Sequence, residues 1–379
     1  MSWKQTFFPD LVHASYLNHA AIAPLSTRVT AAMRDVMAAY VAKGSMAWPE
    51  GFDSRDRLRE KLAQLIHCRA IDIGLVSNTT HGLMVVANEF PWQPGDALVL
   101  IKGEFPGNVV PWLAAAKAFG VRVIWLTLDD LLTQSPAFHD AVAANARLIA
   151  VSWVQYQTGR VMPLQVLSQL RQTYGVQVCV DAIQGLGPLT MDLTETPVDY
   201  VACGGHKWLL GAEGAGFLYV HPQRMAELEP RFAGWISQEQ PFDFLMKGGG
   251  LVDYHRDIRK EANRYEMGTM NTLGFAGLGA SIAMILEVGP ELISERVLAL
   301  AQYCRDGLRE LGLTVFEQGA TSGNASFLAP EGRIEALFHG LKDRGVIISS
   351  PDGYIRAAPH FYNDEADIQR YLDALRELL

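Results

Sequence analysis

Lys207 stands in Cys203-Gly204-Gly205-His206-Lys207-Trp208, between a small apolar run that ends at Cys203 and another expected over 214–220. Desolvation and nearby cations lower the pKa of a lysine placed there, until its neutral amine can attack an aldehyde and form a Schiff base. The plain alternative is a solvated loop lysine. The choice depends on its neighbours. Asp181 closes the apolar run Val176-Gln177-Val178-Cys179-Val180, where a carboxylate needs a cation or donor unless it only shapes a turn or caps a helix. Gln184, three residues on, has an amide to donate, and His206 beside the lysine can bind phosphate. Asn78-Thr79-Thr80-His81-Gly82 lies where an apolar run gives way to a helical pattern. A helix N-terminus with two hydroxyls suits an anion, although Asn78 also reads as a simple N-cap. Phe105 offers a flat face for a ring, or one more core aromatic.

The elements that must position these residues alternate along the chain. Strands are expected over 72–77, 97–101, 121–127, 147–153, 176–180, 198–203 and 214–220. Helical segments over 80–89, 108–119, 136–144 and 163–174 separate most of them. The last two strands are joined by the Lys207 loop without a helix, so one strand runs antiparallel in an otherwise parallel seven-stranded sheet covered on both faces. This is an α/β fold. Ligands of open α/β sheets bind at the carboxyl ends of strands, which is where the chemically apt residues fall. An anion cup, a ring stacker, an acidic partner for a pyridinium nitrogen and an imine-forming lysine are together what pyridoxal 5′-phosphate (PLP) requires.

A helix is expected over 26–42 and a second over 53–67, with a Gly/Pro-punctuated loop over 43–51 whose Trp48 either lines a pocket or packs the loop down. A long helical tract over 273–311 is interrupted at Gly289-Pro290. With 379 residues the chain exceeds the size of one ordinary core. The expected organisation is an N-terminal segment, 1–20, contributing to the site or to the small domain; a large PLP-binding domain, 21–275; and a small C-terminal α+β domain, 276–379. The formal net charge of −9 and the lack of a Lys/Arg cluster give no footprint for nucleic acid. Four scattered cysteines suggest reduced thiols rather than a disulfide framework or a metal site. No signal-peptide pattern or uninterrupted membrane-length run is present, so a cytoplasmic protein with no membrane role is expected.

The sequence resembles the class V aminotransferase family of fold-type-I PLP enzymes, which includes cysteine desulfurases, kynureninase and isopenicillin-N-epimerase-like proteins. The matching stretches span nearly the whole chain. They are Tyr16-Leu17-Asn18-His19-Ala20-Ala21, Asn78 to Gly82, Glu104 to Trp112, Val180-Asp181-Ala182-Ile183-Gln184, Gly205-His206-Lys207, Glu266 to Asn271 and Ile355 to Asn363. The resemblance implies that Lys207 carries the cofactor as a Schiff base, that Asp181 keeps its ring nitrogen protonated, and that Gln184 donates to its phenolic oxygen. It also implies that Thr79, Thr80 and His206 hold the phosphate and that Thr269 reaches a phosphate across a homodimer interface with shared active sites. Arg356 would clamp the substrate carboxylate in the bidentate way that Arg offers.

Departures from the desulfurase pattern are informative. The segment Val346 to Arg356 is short and holds no cysteine, Phe105 replaces a ring-stacking histidine, Gly204 replaces a serine and Tyr156 an asparagine. Persulfide chemistry on an enzyme thiol is therefore not expected. The expected reaction starts with Lys207 as base at the Cα of an amino acid; transamination with a keto-acid acceptor ranks first, and C–S lysis, epimerisation or kynureninase-like cleavage are alternatives. A PLP carrier without turnover is the rival of another class. His19, Trp48 and Trp153 are expected to touch the substrate, with ordinary packing as the competing role for each.

Overall fold

Seven runs rich in Val, Ile and Leu pair into one sheet: β1 (Ile73–Val76), β2 (Ala97–Ile101), β3 (Arg122–Leu126), β4 (Ala146–Ser152), β5 (Gln177–Asp181), β6 (Tyr200–Gly204) and β7 (Gly216–Val220). The computed structural model describes residues 2–316 and 322–379. Met1 of the expected N-terminal segment and residues 317–321 of the expected C-terminal domain lie outside the described residues. The strand order is β1-β7-β6-β5-β4-β2-β3, and only β7 is antiparallel to its neighbours. Successive side chains of one strand enter different cores. Val99, Ile101, Ile149, Val151, Val178 and Val180 face one layer, while Leu98, Leu100, Leu148, Ala150 and Cys179 face the other. Both faces are therefore covered, which explains why the strands read as unbroken apolar runs.

The helices that bear on the site are α1 (Thr27–Lys43), α2 (Trp48–Ile66), α3 (Thr79–Glu89), α4 (Thr272–Val288) and α5 (Pro290–Glu310). Helix α2 starts earlier than the sequence suggests, because Pro49 falls in its first turn, where a missing N–H costs nothing. Gly289, at φ 98°, followed by Pro290, ends α4, and α5 leaves at an angle of 84°. No single helix among the described residues is long and apolar enough to cross a bilayer. Helix α4 packs on α1 and α2, so the apolar tract after residue 272 serves the first core. The change of core falls inside α5: Ile293 and Val297 join the large core, Leu300, Cys304 and Leu308 the second one.

That second core is closed by β8 (Ala325–Leu328) and β9 (Tyr354–Ala357), an antiparallel pair, and by helices Ile334–Asp343 and Glu365–Leu378. The N-terminal segment joins it. Ser15–Tyr16 runs parallel to Val346–Ile347, and Leu17 is buried in the same core.

A buried polar knot anchors the loop-rich stretch after β7. Glu89 Oε2 accepts from Arg264 Nη2 at 2.8 Å and from the Tyr265 hydroxyl at 2.9 Å, and Glu89 Oε1 accepts from Phe232 N at 3.0 Å. Glu89→Ala leaves the Arg264 guanidinium buried without an anion and is expected to cost about 3–5 kcal/mol. A fall in the urea midpoint checks this; an unchanged midpoint refutes it.

Candidate active site

The carboxyl ends of β1, β2, β4, β5 and β6, the N-terminus of α3 and the strand β9 surround one cavity of about 540 Å³. Thr79, Thr80, Phe105, Tyr156, Asp181, Gln184, His206, Lys207 and Arg356 all line it. Nine of the residues singled out in the sequence are thus brought together.

One side is a cup for an anion. Thr79 and Thr80 open α3, and the Asn78 side chain caps it by accepting from His81 N at 2.9 Å. Capping occupies one N–H and leaves those of the first residues facing outward, with the positive end of the helix dipole. Thr79 Oγ1 accepts from Gly204 N at 2.9 Å, which ties the ends of β1 and β6 and frees the hydroxyl proton to donate. A Cβ added at Gly204 would lie 3.2 Å from the His206 ring, and one at Gly107 2.9 Å from Thr80 Oγ1. Side chains at these two positions would crowd the groups that form the cup.

The opposite side holds a carboxylate in want of a donor. Asp181 is 4% exposed, burial pushes its carboxyl up to about 6, and the Ile183 N–H at 3.0 Å and Lys207 only partly oppose this. Gln184 presents its amide beside it. Glu104, whose role sequence reasoning missed, accepts from Ser152 N at 2.7 Å and from the Ser152 hydroxyl. Burial brings the Glu104 carboxyl up to about 7 against those bonds. It ties the 104–108 loop to the end of β4 and sets Phe105 with its ring centroid 5.6 Å from Lys207 Nζ. A signal existed, since Glu104, like Asp181, is an acid just past a buried strand.

Lys207 is partly buried, and desolvation, then the Arg356 charge, brings its pKa down to about 8 against the pull of Asp181. Arg356 is 4% exposed and lowered by burial to about 10. Its Nε donates to Ser349 Oγ at 3.1 Å and its Nη1 to the Tyr156 carbonyl, yet no carboxylate pairs with it among the described residues. None of Cys68, Cys179, Cys203 and Cys304 lines the cavity, and burial raises the pKa of each.

Three residues expected to touch the substrate do not line this cavity. His19 is fully buried with both ring nitrogens occupied, by Ala358 O and by the Tyr362 hydroxyl. Trp153 packs under the cofactor-side turn, where a Cβ at Gly185 would come within 2.4 Å of its ring. Trp48 sits in a separate cleft among Phe52, Trp235 and Phe242. Hydrogen bonds hold His19, while the two indoles pack against other side chains away from this cavity. Thr269 is exposed and does not line the cavity of its own chain.

PLP fits this cavity on groups otherwise left wanting: the buried Asp181, the open end of α3, the free Gln184 N–H and the unpaired Arg356. On a seven-stranded sheet with a single antiparallel strand, these groups define a fold-type-I PLP-dependent enzyme. Comparison with known proteins gives the family. The profile described as aminotransferase class-V matches residues 15–370, and the chain belongs to that family. A probable cysteine desulfurase of Methanothermobacter thermautotrophicus is 28% identical over 96% of this chain and 94% of its own. An isopenicillin N epimerase of Amycolatopsis lactamdurans is 30% identical over 84% of each chain. Among solved structures, a lysine-to-alanine mutant of C-DES with glycine covalently linked to its PLP cofactor matches over 100% of both chains, with TM-score 0.88 and 25% identity. A second C-DES structure, described as a cystine C–S lyase with its product cysteine persulfide, matches with TM-score 0.86, 25% identity and coverage of 98% and 99%.

The charges around Lys207 make a prediction with a sign. In cofactor-free protein, acylation of Lys207 followed by peptide mass spectrometry should show a half-point near a pH of about 8. Arg356→Met removes a cation that disfavours the ammonium, so the half-point should rise. Asp181→Asn removes an anion that favours it, so the half-point should fall. Movement of either variant in the other direction contradicts the electrostatic account.

Proposed function

We propose that this enzyme removes the Cα proton of an α-amino acid with a single carboxylate and an uncharged side chain. The observation that carries the proposal is a pair of cations facing one cavity, Arg356 with no anion of its own and Lys207 with its pKa lowered to about 8. Arg356 binds the substrate carboxylate, its planar fork held by Ser349 and by the Tyr156 carbonyl. Lys207 takes the proton from Cα, its neutral form being accessible near neutral pH. PLP supplies the electron sink that stabilises negative charge at Cα. Asp181 would hold the pyridine nitrogen protonated, and Phe105 would offer its face to the ring. Ile183, Phe105, Tyr156 and Pro351 leave the remaining wall mainly apolar, and among the described residues no second arginine lines it.

Transamination with a keto-acid acceptor is the first outcome, supported by the family description; Lys207 would be the group that carries the proton away from Cα. β-Elimination is the second, favoured by a cavity without a thiol and by the whole-chain likeness to C-DES. The enzyme works as a homodimer in this reading. Support comes from the exposed Thr269 and from apolar residues left in solvent, Val41 at 90%, Met46 at 75% and Val110 at 59% exposure. Thr269 of one copy would then meet the phosphate cup of the other.

Incubating the yellow protein with an amino-acid panel tests the reading. Pyridoxamine formation marks transamination, keto acid with free ammonia marks elimination, and solvent-proton exchange alone marks epimerisation. No spectral response to any amino acid overturns the enzymatic reading. Lys207→Ala should lose the borohydride-reducible bond. Arg356→Met should lower kcat/KM by roughly 30- to 1,000-fold, the equivalent of about 2–4 kcal/mol for one buried charged contact.

A further inference from the structure

The Gln184 side-chain amide is buried with both ends engaged. Trp208 Nε1 donates to Gln184 Oε1 at 2.9 Å, and Gln184 Nε2 donates to the Ala20 carbonyl at 2.8 Å. An indole N–H only donates and a carbonyl only accepts, so the two contacts fix which end of the amide is nitrogen. One N–H is left over, on a residue that lines the cavity.

Both holders of the amide are themselves held by residues 358–362, the segment that follows β9 and packs into the large core. Phe361 N donates to His360 Nδ1 at 2.8 Å, which puts the imidazole proton on Nε2, and that nitrogen donates to Trp208 O at 3.0 Å. On the other arm, Ala20 follows His19, whose Nδ1 donates to Ala358 O at 2.7 Å and whose Nε2 accepts from the Tyr362 hydroxyl at 2.7 Å. His19, Trp208 and His360 are at most 1% exposed. Burial keeps both imidazoles neutral, His360 falling to about 4, so these tautomers persist through the neutral range.

We propose that Trp208 and His360 are positioning residues that aim the remaining N–H of Gln184 at the phenolic oxygen of bound PLP, so that the segment following the Arg356 strand also sets the hydrogen bond the cofactor receives. The inference rests on the PLP reading of the cavity. A donor to that oxygen stabilises its anion. Loosening the donor makes the cofactor hold its proton more tightly and raises the pH at which its visible absorbance titrates. One hydrogen bond of ordinary strength corresponds to a shift of about 0.5–1 pH unit.

The test is absorbance against pH for the holoenzyme and its variants, with Tyr156, Asp181, His206, Lys207 and Arg356, the titratable groups that line the cavity, left intact. Trp208→Phe keeps an aromatic ring but removes the N–H, and should raise the midpoint by about 0.5–1 unit. His360→Phe should move it the same way, and His360→Gln, which returns an N–H near the Nε2 position, should bring it back. The double variant Trp208→Phe/His360→Phe should shift no further than Trp208→Phe alone. An unchanged midpoint in Trp208→Phe with cofactor retained overturns the proposal, as does an additive double variant. Should Trp208→Phe not fold, the position 360 pair decides alone, and equal midpoints for Phe and Gln overturn it. A parent protein that never turns yellow overturns the PLP reading instead.

Discussion

A guanidinium buried in a protein without an anion is unfavourable by several kcal/mol, and Arg356 is in that position. The site depends on that imbalance. Burial lowers the affinity of Arg356 for its own proton, and its charge in turn weakens the hold of Lys207 on a proton. Asp181 tempers the effect on Lys207 without pairing with it, and Tyr156 opposes the effect of burial on Arg356. In the proposed reading an amino-acid carboxylate supplies the missing negative charge, so that binding a substrate relieves what folding left unbalanced. The charge arrangement thus selects ligands before any side-chain pocket is considered.

The scaffold explains how such groups are kept in place. Parallel strands buried on both faces have little freedom, and each presents one functional residue as it ends: Asp181 on β5, the Lys207 loop after β6 and the Phe105 loop after β2. The loops are fastened to strand ends by specific bonds, Glu104 to Ser152 and Thr79 to Gly204. Arg356 alone comes from the second core, and its bond to the Tyr156 carbonyl and the neutral histidines His19 and His360 tie that part of the chain to the first.

Much of this was legible in the sequence because it is local. Strand existence and direction follow from apolar runs and from the absence of a helix between β6 and β7, and the cofactor groups follow from their position at strand ends. Substrate-facing aromatics were not legible. Trp48, Trp153 and His19 have the composition of a pocket wall, but what each touches is set by chain segments far away, such as Phe242, Gly185 and Tyr362. Sequence spacing carries no information about those meetings. Glu104 and Trp208 were within quoted motifs, yet their roles depend on Ser152 and Gln184, which only the folded sheet brings alongside.

The first and last parts of the chain share one core. Lys4 pairs with Asp367 at 3.0 Å, Ser15 Oγ donates to the Asp367 carbonyl at 2.8 Å, and Leu17 shares a core with Tyr371. A ribosome delivers these partners more than 350 residues apart, so the opening segment must wait, unpaired, until synthesis is nearly over. Ala20 and Ala21, which line the cavity, wait with it. A nascent chain can build the large sheet early, but its active site closes last.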